Sequence, residues 1–165
     1  MFRSILKPSP FDIEVDDEGA GYATVQVAIA QDDTRIVSVV CEVANTNDIC
    51  DEPCSEFSFS IDVVGLFDDS IEPFRTQDRN IAAAYIPQEI RSSVMDVVGA
   101  GLMALLEYTK PALLYWVTKD RAPPEKALPK YYLLRDLAQT LGYAVETEGT
   151  DPFGRRFWLM RRNPD

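Results

Sequence analysis

From residue 56 to residue 63 polar and apolar side chains alternate without a break, and a helical stripe opens soon afterwards at Pro87. Successive side chains leave a strand on opposite sides, so the alternation puts Phe57, Phe59, Ile61 and Val63 on one face. At Val64-Gly65 the pattern slips, as it would at a bulge or bend, and Leu66-Phe67 carries the apolar run onward. Beyond Pro87, the residues Ile90, Val94, Val97, Val98, Gly101 and Leu105 share one side of a helix, while Arg91, Ser92, Ser93 and Asp96 lie off it. Proline suits the first helical position, where an N–H would have no partner, and Glu89 follows near the positive end of the dipole. A strand with one apolar face next to a helix with one apolar stripe defines a two-layer arrangement.

The preceding residues extend the sheet. Phe11, Ile13 and Val15 alternate with Asp12, Glu14 and Asp16, which predicts a first strand over 11–16. After the turn signal at 17–21, Ala23, Val25, Val27 and Ile29 share one side of a second strand. Asp32-Asp33 reverses the chain, and Val37, Val39, Cys41 and Val43 point inward from a third. A polar loop over 45–55 leads to the strand that begins at Glu56. Short connections between strands with one apolar face predict an antiparallel meander. Residues 78–85 read as a short helix before the long one.

Tyr108-Thr109-Lys110-Pro111 marks a boundary, because proline ends the helix and the charge balance changes there. The net charge is −14 over residues 1–107 and +3 over residues 108–165. Residues 112–118 read as a buried strand, and residues 130–141 as a helix with Tyr131, Leu134, Ala138 and Leu141 on one face. Gly142 is placed to cap that helix in the left-handed conformation. Strands over 143–148 and 156–162 follow, joined by a turn over 149–154. The fold class is therefore α+β. An antiparallel meander covered by a long helix occupies 1–107, and a small β-α-β-β extension, 111–165, packs on it. A segment of about 55 residues is marginal as an independent domain.

The first unit resembles the SecB-like family of export chaperones. Two stretches carry the resemblance: Phe59-Ser60-Ile61-Asp62-Val63-Val64-Gly65-Leu66-Phe67, an apolar strand closing on Gly-aliphatic-Phe, and Ala84-Tyr85-Ile86-Pro87-Gln88-Glu89-Ile90-Arg91, which enters the long helix. It covers about residues 10–107. The extension departs from the family's usual end, and no export-motor contact is carried over. The resemblance implies a non-enzymatic, homo-oligomeric protein that holds unfolded or partner polypeptide segments in apolar grooves, with Leu66, Phe67 and Tyr85 as candidate contacts. Acidic surroundings would favour basic clients. The plainer alternative for each of these residues is a place in the core.

The inventory narrows the chemistry. There is no histidine, which removes Ser-His-Asp and Cys-His catalysis and imidazole zinc sites. Gly99-Ala100-Gly101 lies inside the amphipathic stripe, where small residues permit close packing, and no phosphate-binding glycine loop is present. Cys50 and Cys54 form a C-x-x-x-C in an acidic loop, with Cys41 on the strand before it. A metal would lack a fourth sulfur or imidazole ligand and a redox pair would be slowed by the surrounding acids, so inert cysteines are the simpler reading. Asp32-Asp33, Asp51-Glu52 and Asp68-Asp69 sit at turns, where aspartate bonds its own backbone. No cofactor and no metal site is expected.

Arg155, Arg156, Arg161 and Arg162 flank the aromatic strand of the extension. They are either intramolecular partners of the acidic unit or contacts for a partner or nucleic acid, an alternative role as a nucleic-acid-associated or phage/mobile-element accessory protein. An acidic body repels nucleic acid and anionic membrane at long range, so only this segment would attract the former. The N-terminal residues lack a secretory apolar core, the run 94–106 is too short to span a bilayer, and three cysteines fit a reducing compartment. A cytoplasmic location without membrane contact is expected.

Overall fold

A computed structural model describes residues 1–67 and 71–164. Its strands are β1 (Arg3–Ser4), β2 (Val15–Gly19), β3 (Tyr22–Gln31), β4 (Arg35–Thr46), β5 (Cys54–Gly65), β6 (Phe74–Thr76), β7 (Leu113–Val117), β8 (Tyr143–Thr150) and β9 (Arg156–Arg162). The helices are α1 (Arg79–Ala82), α2 (Val94–Thr109) and α3 (Pro129–Thr140). All the strands join one sheet in the order β1-β3-β4-β5-β7-β9-β8, with β2 also on β3 and β6 also on β5. Every pairing is antiparallel except β5 with β7. The mixed α+β class therefore holds, and the first unit and the extension share a sheet through that single parallel joint.

The backbone of the sheet is the β4–β5 pair, whose register runs unbroken from Arg35↔Gly65 to Thr46↔Cys54. Val37, Val39, Cys41 and Val43 meet Val63, Ile61, Phe59 and Phe57 across it, all facing the helices as their alternation requires. No bulge interrupts Val64-Gly65. The apolar pattern slips there because Val64 lies on the opposite face, across from Ile36. The bulge falls instead at Ile29, between the pairs Ala28↔Ser38 and Ala30↔Val37, and it buries both Ile29 and Ala30.

Two other elements begin later than their patterns indicate. Residues 11–14 form no strand: β2 starts at Val15, while Phe11 and Ile13 pack against the core from a coil. By the β2–β3 register residues 12–14 would lie opposite residues 26–28, but they run as coil, and only Phe11 would meet the bulge at Ile29, beyond which β1 takes the edge at Ala30 and Gln31. Pro87 opens a 3₁₀ segment, Gln88–Ser93, and α2 itself begins at Val94. Arg91 explains the delay, because its guanidinium donates to the carbonyls of Ile86 (3.1 Å) and Ala83 (2.6 Å) and ties the segment to the end of α1. The extension follows its sequence signals within one or two residues at each boundary, and Gly142 has φ +84°.

The helices cover one face. Val97, Val98, Leu102, Leu105 and Leu106 of α2 are buried over β3 and β4, and α3 packs beside α2 and over β8. The two glycines of α2 face different neighbours. A Cβ on Gly101 would stand 2.7 Å from the Cys41 sulfur, and one on Gly99 would stand 2.8 Å from Leu137 Cδ1 on α3. Gly101 thus sets how closely helix and sheet approach, and Gly99 how closely the two helices do. Under the extension, Trp116 and Trp158 face each other in register with rings 6.1 Å apart, and Tyr131 stacks on Trp158 at 5.6 Å.

Gly101→Ala sets a helix-propensity gain of about 1 kcal/mol against an overpacking cost of about 1–3 kcal/mol. We expect a net loss of stability in urea unfolding. In a Cys41→Ala background, where the obstructing sulfur is gone, the same substitution should be neutral or stabilising. Equal losses in both backgrounds would show that the helix–sheet distance is set elsewhere.

Candidate functional site

The sheet is complete on the β4 side of β5 and divided on the other. β7 pairs with β5 only at Ser55↔Leu114 and Glu56↔Tyr115, then diverges. β6 takes up the same edge at Ile61, Asp62 and Val63. Between them, residues 57–60 have no strand neighbour among the described residues on that edge. Backbone N–H and C=O groups in such a stretch lack the ladder partners that the rest of the sheet supplies.

A cleft of about 470 Å³ opens at this split, within the usual range for ligand sites of about 300–1,000 Å³. Phe57 and Phe59 line it from the helix-covered face of β5, and Glu56 and Ser58 from the opposite face. Trp116, Thr118, Tyr131 and Leu134 form the wall on the β7 and α3 side. The indole N–H of Trp116 is buried with no hydrogen-bond partner among the described residues. Thr118 is buried but engaged: its hydroxyl donates to the Asp120 carbonyl (3.0 Å) and accepts from the Arg156 amide (3.0 Å).

Charged groups gather at the mouth: Arg79, Lys119, Lys130 and Arg155, with Glu56, Asp78 and Asp120. Asp78 caps α1 by accepting from the amides of Asn80 and Ile81, which together hold its carboxyl below the usual range, and Lys119 stands 3.7 Å away. Arg155 Nε donates to Asp151 at 2.8 Å. Burial lowers the pKa of the Lys130 ammonium; Arg79 adds to the lowering and Asp120 opposes it. Burial raises the pKa of Glu56 against a smaller opposing pull from Arg155.

The residues singled out from sequence lie elsewhere. Tyr85 is half-buried, its ring 5.6 Å from Phe2 and 5.8 Å from Phe74, with the Arg35 guanidinium 5.9 Å from its centre. Leu66 donates its amide to the Thr34 carbonyl (2.8 Å), and Phe67 is 88% exposed. Arg35 is the register partner of Gly65, so these three residues share the far end of β5. Ser58 lies seven residues back, roughly 23 Å along the strand. This end is an aromatic corner rather than the cleft. Arg79, Lys119, Lys130 and Ser58 carry no motif, and sequence reasoning passed over them. Only the run Leu113-Leu114-Tyr115-Trp116, buried on both faces, signals that β7 needs a neighbour on each side.

The C-terminal arginines have partners within the chain. Arg161 donates to both oxygens of Glu52 (2.9 and 3.2 Å) and to Glu146 (2.9 Å), bridging the acidic loop before β5 to β8. Arg156 stacks over Trp158 at 5.8 Å, and Arg162 donates to the Lys110 carbonyl at 3.4 Å. Among the carboxylate pairs, Asp32 accepts from Arg35 and from the amides of Thr34 and Arg35, and its pKa is held far down. Asp68 and Asp69 lie outside the described residues. Cys41 and Cys54 are buried and their thiol pKa values are pushed up to about 12 by that burial, which disfavours the reactive thiolate. Among the described residues, no group of three Cys, Asp or Glu side chains converges as a metal would require, and no helix is long and apolar enough to cross a membrane. No family model matches the sequence, and no curated protein or solved structure is significantly similar to it.

Glu56 yields a test with a definite sign. Its folded-state pKa is raised, so its contribution to stability is most favourable below the unfolded value of about 4.3 and diminishes as pH rises through the folded value. Glu56→Gln should raise Tm at pH 7, by about 1–3 °C, and give no gain near pH 3.5. A loss at pH 7 would mean that attraction to Arg155 outweighs burial.

Proposed function

We propose that this protein is a non-enzymatic polypeptide-binding protein that holds an extended segment of a client or partner in the cleft beside β5. The observation that carries this reading is the open edge at residues 57–60, flanked by β7 on one side and β6 on the other. An extended segment entering there gains main-chain hydrogen bonds, which are indifferent to sequence, while alternate side chains reach the two faces of the sheet. Of the apolar lining, Phe59 keeps exposed surface for a client to cover, while Phe57, Tyr131 and Leu134 are already buried in the core, so main-chain bonding is the larger part of the reading. The resemblance of residues 10–107 to SecB-like chaperones points to the same class of activity. It adds a homo-oligomer to the proposal, which light scattering of the purified chain reads directly. A reading through Arg155, Arg156, Arg161 and Arg162 has less support, because each of these side chains already has a contact within the chain.

Ser58 is the position for a test, because it lines the cleft without belonging to the core. Ser58→Trp should fill the cleft and reduce holding of an unfolded client, or binding of a strand-forming peptide, by tenfold or more, with circular dichroism and Tm little changed. Phe67→Ser at the aromatic corner should leave binding intact. The reverse pattern would move the site to the corner, and a chain that neither binds peptide nor suppresses aggregation would end the reading.

A further inference from the structure

Basic side chains gather at the mouth of the cleft against the acidic balance of the unit around it. Residues 1–107 carry a net charge of −14, and Arg35, Arg75 and Arg161 are all paired with carboxylates. Arg79 and Lys130 form no salt bridge among the described residues; Lys130 lies over the Tyr131 ring at 5.0 Å, and besides its burial Asp120 supports its charge while Arg79 weakens it. Among the described residues Lys119 has a long ion pair, 3.7 Å to Asp78 Oδ2, while Asp78 Oδ1 caps α1. Three basic groups are therefore gathered beside the cleft, interleaved with Glu56, Asp78 and Asp120, at a cost in mutual repulsion and, for the half-buried Lys130, in lost hydration. An incoming anion removes that cost.

Resting on the polypeptide reading above, we infer that the bound segment is acidic: an extended stretch whose main chain lies along residues 57–60 and whose Asp or Glu side chain reaches Arg79, Lys119 and Lys130. Two observations favour a peptide carboxylate over a nucleic-acid phosphate. Only a polypeptide supplies the alternating N–H and C=O groups that an open strand edge takes. A phosphate backbone also brings many charges, which the acidic body repels beyond the few ångströms of the mouth, whereas one carboxylate is felt locally and screened elsewhere within about 8 Å at physiological salt. The sign is the opposite of the basic clients that the overall charge implies.

The test uses three fluorescein-labelled octapeptides of alternating valine and glutamine: one unchanged (the Gln peptide), one with a central Gln replaced by Glu (the Glu peptide) and one with it replaced by Lys (the Lys peptide). Each is titrated by anisotropy in 50 mM salt against the full chain and its Ser58→Trp and Arg79→Glu/Lys130→Glu variants. The Glu peptide should bind about tenfold more tightly than the Gln peptide, with the Lys peptide weakest. The double charge reversal should invert that order, and 300 mM salt should compress it. Equal binding of the three peptides, lost in Ser58→Trp, would overturn the acidic inference and leave the cleft as a peptide site. No binding by any of them would remove the cleft reading itself. Displacement of the Glu peptide by a stoichiometric oligothymidylate would overturn the choice of a carboxylate. Lys130→Gln, which removes one charge without reversing it, should lower Glu-peptide affinity severalfold and leave Tm close to wild type.

Discussion

Everything distinctive here depends on how the second edge of β5 is shared. A twelve-residue strand that is fully paired with β4 presents another edge of equal length, and no single strand among the described residues covers it. β7 takes one end in parallel through two residue pairs, and β6 takes the other in the antiparallel sense. Parallel and antiparallel ladders have different hydrogen-bond geometries, so one partner cannot pass smoothly into the other. The sheet opens where they meet. The joint that fuses the acidic meander to the basic extension is thus also the origin of the cleft.

Such a short joint holds because the energy lies in the layers above it. Trp116, Trp158 and Tyr131 form a stack beneath α3, and α3 in turn lies against α2 at Gly99. Burial of large aromatic surface, at about 25 cal/mol per Å², exceeds what two ladder pairs contribute. On the far side of the sheet, Arg161 links Glu52 to Glu146, a solvent-exposed arrangement that adds orientation more than stability. The acidic loop and the basic strand meet there, which gives the charge asymmetry of the sequence a role inside the molecule.

The parts legible in the sequence are those set by short periods. Val37 to Val43 and Phe57 to Val63 alternate because one face is dry, and residues 97–106 repeat at helical spacing for the same reason. Gly99 and Gly101 were readable as packing glycines, and the geometry around Cys41 and Leu137 gives the reason. What stayed hidden depends on residues distant in the chain. Nothing near Ser55 announces Leu114, and nothing in Arg79, Lys119 or Lys130 announces that a turn, a short helix and a long helix will gather them. Leu66, Phe67 and Tyr85 are the contacts that the SecB-like resemblance implies, and within the chain Tyr85 packs against Phe2 and Phe74. The pattern slip at Val64 looked like a bend because a single sequence does not say that Ile36 waits on the other face.

The central claim is that residues 57–60 form an unpaired strand edge between two paired ends. Amide hydrogen exchange on the free chain, read residue by residue by NMR, tests it without any ligand. In an alternating strand, about half of those four amides point toward β4 and the rest toward the cleft. The account predicts at least one fast-exchanging amide within 57–60, set between protected amides at 55–56 and 61–63. Uniform slow exchange from Ser55 through Val63 would mean that the edge is closed in solution, and the cleft would lose its claim to be a binding site.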